Sequence, residues 1–192
     1  MGDMITLTAE DGHTLSGYRA APQGTARGGL VIVQEIFGVN SHIRRVTDGF
    51  AADGFVALAP AIFDRAEPGF MTGYRQEDID RGRAVRMKIP LDDMVKDIRA
   101  AVRGLEGGGH KVGVAEHAQE KPRCPVLLHW GETDQSIPPD HWKKVSSAHP
   151  DLPVHVYPAG HGFNCDERGS YHEASAKLAR TRTLAFLKQH LG

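Results

Sequence analysis

Cysteine is scarce in this chain. Only Cys124 and Cys165 occur among 192 residues, in unrelated contexts, which argues against a disulfide framework and suits reduced thiols in a cytoplasmic setting. Neither sign of charge dominates. Lysine and arginine number 23 against 24 acidic residues, a formal net charge of -1, so there is no basic footprint for nucleic acid and no polybasic signal for a membrane. No apolar run is long enough to span a bilayer, and the opening MGDMITLTAEDG lacks a basic region followed by an apolar stretch, so no signal peptide is expected. Histidine is plentiful at 11 residues, yet neither H-E-x-x-H nor paired-cysteine spacing occurs, and no metal site is expected. These exclusions leave a small molecule or another protein as partner, with the chain as a monomer or homodimer.

What is present is an alternating rhythm. A chain of 192 residues suits one domain that buries about 70% of the surface its unfolded form exposes. Residues 4–9 and 14–21 alternate in polarity around Glu10-Asp11-Gly12-His13, the turn chemistry of a hairpin. Gly29-Leu-Val-Ile-Val-Gln and Phe55-Val-Ala-Leu-Ala-Pro then read as strands buried on both faces. Between them Asn40 or Ser41 can cap a helix carrying Ile43, Val46, Phe50 and Ala51 at helical spacing, ended by Gly54. Ile62 to Gly73 lacks periodicity and reads as a surface loop near a site. Helices are expected at 76–87, 92–105, 139–148 and 171–191, the last through Leu178, Leu184, Ala185, Leu187 and Leu191. Strands are expected at 111–114, 125–131 and 153–158. Gly107-Gly-Gly reads as a cap and turn rather than a phosphate cradle. The fold class is therefore α/β, one domain over residues 1–192 with a mostly parallel central sheet and helices on both faces, a three-layer sandwich.

One connection breaks the rhythm. Parallel neighbours need a crossover of a dozen or more residues, and a full strand-helix-strand unit takes roughly 30 or more. Only ten residues, Ala115 to Cys124, separate the strand ending at Val114 from the one beginning at Pro125, and they are polar, with Lys121-Pro122 discouraging a helix. Either the region departs from the pattern, or a block is absent after Val114.

Three stretches follow strands at the carboxyl end, where open α/β sheets place ligands: Gln34-Glu35-Ile36-Phe37-Gly38, Gly131-Glu132-Thr133-Asp134 and Ala159-Gly160-His161-Gly162-Phe163. An acid after one strand and a histidine after the next is the order that closes an α/β-hydrolase triad. Taken singly, Asp134 could be a turn or cap residue before Pro138, and His161 an ordinary loop histidine. As an ordered pair they point to a base and the group that orients it.

QEIFGVN at Gln34, GFVALAP at Gly54, the Asp-rich helix near Asp92, KVGV at Lys111, PVLLHWGETDQSIP at Pro125 and AGHGF at Ala159 together resemble the dienelactone hydrolases of the α/β-hydrolase fold over nearly the whole chain. The resemblance implies a hydrolase of lactones or carboxylic esters, carboxymethylenebutenolidase-like, that needs no metal or organic cofactor. It implies Asp134 and His161 as triad members, Glu35 beside the nucleophile, and the Ile36 N–H as half of the oxyanion hole. It also calls for an arginine to receive a substrate carboxylate; among Arg65, Arg75, Arg81 and Arg83, helical spacing favours Arg81 or Arg83. Phe37, Phe163 and Tyr74 are candidates for an apolar wall.

The family's nucleophile, a cysteine or serine on a G-x-C-x-G elbow, follows the KVGV strand. Here Ala115-Glu116-His117 follows it. The nucleophile is thus expected outside these residues, since Cys124 precedes a strand at the far sheet end, Cys165 sits on no elbow and Ser136 belongs to the loop behind Asp134. The alternative is a non-catalytic or inactive deletion homologue that binds, or a vestigial protein.

Overall fold

A computed structural model of the chain describes residues 1–107, 112–113 and 124–192. The expected break at Val114–Ala115, and all of the polar connection up to residue 123, lies outside the described residues. The chain forms two compact units, Met1–Val114 and Ala115–Gly192.

The first unit is built on a five-stranded sheet. Strands β1 (Asp3–Thr8) and β2 (Thr14–Ala20) form the expected hairpin, with Leu7 opposite Leu15. Its turn closes through Ala9 N–H to the His13 carbonyl at 2.8 Å, and Gly12 takes a φ of 84°. After β3 (Gly29–Val31), α1 (Ser41–Ala52), β4 (Val56–Pro60), α2 (Gln76–Arg86), α3 (Leu91–Glu106) and β5 (Val112–Gly113), the sheet order is β1-β2-β4-β3-β5. β2 runs antiparallel to β4, while β3 pairs in parallel with both β4 and β5.

All five residues of β4 are buried because the sheet is covered on both faces. Successive strand residues point to opposite sides. Val56 and Leu58 join Leu7, Leu15, Ala100, Ala101 and Leu105 on the α3 side, and Ala59 joins Tyr18, Val39 and Ile43 on the α1 side. Asn40 begins α1 as expected, its side chain accepting the Ile43 N–H at 3.2 Å. Gly107 closes α3 in ordinary right-handed geometry.

The expectation of a surface loop over Ile62 to Gly73 is corrected. Ile62–Arg65 is a 3-10 helix, and Ile62, Phe63 and Phe70 are buried with Val85, Ile89 and Met94. Three large apolar side chains without helical spacing still need cover, and they pull an irregular backbone into the core. Arg65 also leaves the list of substrate arginines. It grips the fully buried Asp97 through two hydrogen bonds of 2.8 Å and reaches Asp11 at 3.0 Å.

The second unit pairs β6 (Leu128–Gly131) in parallel with β7 (Val154–Tyr157) across the helix α4 (Pro139–Ala148), which has the expected bounds, and ends in α5 (Glu173–Leu191). The buried positions of α5 are small ones, Ser175, Ala176 and Ala179, and Leu178 is 45% exposed. Ala179 packs with Tyr157, Ala159 and Phe163, which lets α5 approach closely.

Beside that cluster His129 is held as a neutral ring. Thr183 Oγ1 donates to the Ala179 carbonyl at 2.9 Å, so it accepts from His129 Nε2–H at 3.1 Å, which leaves Nδ1 to accept the Tyr157 hydroxyl proton at 2.7 Å. A second ring proton would have to displace the Tyr157 hydroxyl proton from this chain of bonds. Burial, aided by the positive charges of His155 and Arg182, brings the His129 pKa down from 6.5 to about 4. Among the described residues no helix is long and apolar enough to cross a membrane.

Candidate active site

The carboxyl ends of β6 and β7 lie side by side, and glycine lets their loops touch. A Cβ at Gly131 would lie 2.5 Å from the Ala159 carbonyl oxygen, so any other residue would push the two loops apart. The Glu132 N–H donates to the Tyr157 carbonyl at 2.8 Å and the Thr133 N–H to the Ala159 carbonyl at 3.1 Å. Asp134 and His161 are thereby brought together, with Asp134 Oδ2 2.9 Å from His161 Nδ1.

The carboxylate is fixed before it meets the ring. Its Oδ1 accepts the N–H groups of Ser136 and Ile137, both at 2.8 Å, and its side chain is 8% exposed. Burial by itself would raise the Asp134 pKa, but the hydrogen bonds from Ile137, His161 and Ser136 together hold it below the ordinary value. An ionised Asp134 makes Nδ1 the protonated nitrogen of His161, which leaves the Nε2 lone pair as the basic one. The imidazole is 41% exposed, so that lone pair belongs to an accessible ring. The backbone around it is also held: Ser170 Oγ donates to the His161 carbonyl at 2.6 Å, and Gly162 takes a φ of 73° with Arg168 packed where a side chain would stand. Phe163 is buried with Tyr157, Ala159 and Ala179, so it supports the loop from below. Cys165 is buried and Cys124 exposed.

The remaining candidates belong to the first unit. Glu35 and Ile36 are half-buried at the start of a tight turn, whose Gly38 N–H reaches the Glu35 carbonyl at 3.4 Å and whose Gly38 has a φ of 77°. Phe37 is 1% exposed and packs against Tyr74 with the rings tilted by 59° and 4.5 Å between centroids, which makes it a foundation for the turn. Arg81 lies over the Phe70 ring at 5.1 Å and pairs with Glu67. Arg75 pairs with Glu77 at 3.1 Å. Arg83 stands exposed on α2, with no side-chain partner among the described residues. Sequence reasoning missed the two backbone donors to Asp134, the serine behind His161 and the role of Gly131. The signal for the last was present, since a glycine where a strand meets a functional loop marks a close backbone approach.

An acid and a histidine on adjacent parallel strand ends, in that chain order, match the arrangement of the α/β-hydrolase class. The fold agrees with it. The chain is similar to the crystal structure titled "Putative Dienelactone Hydrolase" from Klebsiella pneumoniae subsp. pneumoniae MGH 78578, with a TM-score of 0.78 at 24% identity, over 98% of this chain and 100% of that one. The profile of the dienelactone hydrolase family matches residues 15–116 and 108–191, and the chain belongs to that family. It is 32% identical to a "Putative carboxymethylenebutenolidase" of Azospirillum brasilense over 98% of this chain and 99% of the relative. It is 27% identical to the carboxymethylenebutenolidase of Pseudomonas putida, over 95% of this chain and 94% of that protein.

The match is interrupted. The family profile is met in two pieces that join at residues 108–116, around the point where the expected elbow should follow Val114. The Azospirillum alignment runs over 228 positions against a chain of 192 residues, so at least 36 of its positions (228 less 192) have no residue here.

Proposed function

We propose that the chain is a cytoplasmic hydrolase of lactones or carboxylic esters, carboxymethylenebutenolidase-like, with residues 1–192 as one hydrolase-like domain. The 2.9 Å contact between Asp134 Oδ2 and His161 Nδ1, on an aspartate already tied by two backbone N–H groups, carries the reading.

In the proposed reaction His161 Nε2 takes the proton of a thiol or hydroxyl nucleophile as it attacks the substrate carbonyl. Asp134 holds the ring and stabilises the imidazolium. The oxygen of the tetrahedral intermediate receives the Ile36 N–H, and Glu35 tunes the nucleophile. His161 then returns the proton to the departing alkoxide and the acyl-enzyme forms. Water, deprotonated by His161, releases the acid and restores the nucleophile. Arg81 or Arg83 receives a substrate carboxylate, Phe37 and Phe163 back the apolar side, and no metal or cofactor takes part.

The nucleophile is not among the 192 residues, and the 36 or more positions found in the relative are where we place it. Hydrolysis of p-nitrophenyl acetate and of a dienelactone tests the reading. His161→Ala should lower kcat by roughly 10³-fold or more. Equal rates for the two proteins would reject it and favour a non-catalytic homologue in which Asp134 and His161 are remnants.

A further inference from the structure

Gly82 stands inside α2, where glycine weakens a helix relative to alanine, and it is buried. Its missing side chain allows a backbone contact. A Cβ at Gly82 would lie 2.3 Å from the Ile36 carbonyl oxygen and 3.3 Å from the Ile36 Cβ, so the helix rests directly on the peptide that follows Ile36. The turn is gripped from its other side as well. A Cβ at Gly38 would lie 2.1 Å from the Phe70 carbonyl oxygen, Gly38 bridges to Met71, and the Thr72 N–H donates to the Phe37 carbonyl at 3.1 Å. Asn40 completes the frame, its Nδ2 donating to the Thr72 carbonyl at 3.3 Å and to Tyr74 Oη at 3.0 Å.

We propose that Gly82 is a positioning residue for the oxyanion hole: it seats α2 against the Ile36 backbone and so fixes the direction of the Ile36 N–H. This rests on the reading of that N–H as an oxyanion donor. A donor stabilises the transition state only when aimed at the place where negative charge develops, and a misplacement on the order of 1 Å can cost 10²-fold. With Gly82→Ala the clash at 2.3 Å has to be relieved by moving the helix or the turn, because both sides are backbone.

The test uses the ¹⁵N-labelled full chain and p-nitrophenyl acetate kinetics, with Ala84→Gly as a control at an exposed position of the same helix. Gly82→Ala should move the Ile36 amide resonance and lower kcat by about 10- to 100-fold with KM held within about threefold. Ala84→Gly should loosen the helix and leave both unchanged. An unmoved Ile36 amide in Gly82→Ala, or a loss carried by KM, overturns the proposal. Wild-type protein without hydrolysis that His161→Ala abolishes is a different failure: the hydrolase reading falls, and the catalytic role of Gly82 with it. If Gly82→Ala does not fold, Val85→Ala, which empties the core on the same helix face, should shift the same amide and lower kcat less; no shift there overturns the proposal.

Discussion

In the first unit every residue of β4 is buried, between α3 on one face and α1 on the other; in the second, Leu128, His129 and Trp130 of β6 are half-buried, and Val156 of β7 is 40% exposed. The helices differ in the same way. α3 buries six residues, whereas α4 buries none. Yet β6 ends the largely apolar run Pro125-Val-Leu-Leu-His-Trp, similar to that of β4, and such runs are found where strands have neighbours on both edges and cover on both faces. The first unit gives β4 a neighbour on each edge in a five-stranded sheet, whereas among the described residues of the second, two strands share one pairing. The Azospirillum alignment leaves 36 or more positions without a residue here, and the family profile is met in two pieces that meet at residues 108–116.

The comparison can be broken by mutation. Both tryptophans, Trp130 and Trp142, lie in the second unit, so their fluorescence reports on it while far-UV circular dichroism reports on both. The largest effect is expected from Asp97→Ala, which strands Arg65 with its buried bidentate partner removed and should cost about 3–5 kcal/mol in urea unfolding followed by circular dichroism. Leu58→Ala in the covered strand should cost about 3 kcal/mol by the same measurement.

Acid should act on the second unit. His129 has a folded pKa of about 4 against 6.5 unfolded, so its contribution is fully present above pH 6.5 and is lost as pH falls toward 4. With solvent screening of this half-buried ring, the loss should be on the order of 1–2 kcal/mol, seen in tryptophan fluorescence and removed by His129→Gln. Asn40→Ala, which removes the cap of α1, should cost about 1 kcal/mol. Smallest of all, Val156→Ala should change stability by less than about 0.5 kcal/mol; a cost like that of Leu58→Ala would remove the contrast between the units.

Periodicity made most of this architecture legible. The hairpin, α1 with its Asn40 cap, β4 and the bounds of α4 follow from patterns that a few consecutive residues carry. The burial of Ile62, Phe63 and Phe70 did not, because irregular backbone has no period to read. In the candidate site the order of Asp134 and His161 was visible, while Gly82 was not, since its partner Ile36 is distant in sequence and only the fold brings it near. An interior helical glycine was the one available hint.

The central claim is that the Asp134–His161 pair serves a nucleophile carried by a block that follows Val114. The intact mass of the purified protein tests it most directly. The 192 residues weigh 20.9 kDa, and 36 more at the same average would add about 4 kDa (20.9 × 36/192). The account predicts an excess of at least that order, with the added residues mapped by peptide sequencing to the junction near residues 108–116. A mass of 20.9 kDa would contradict it.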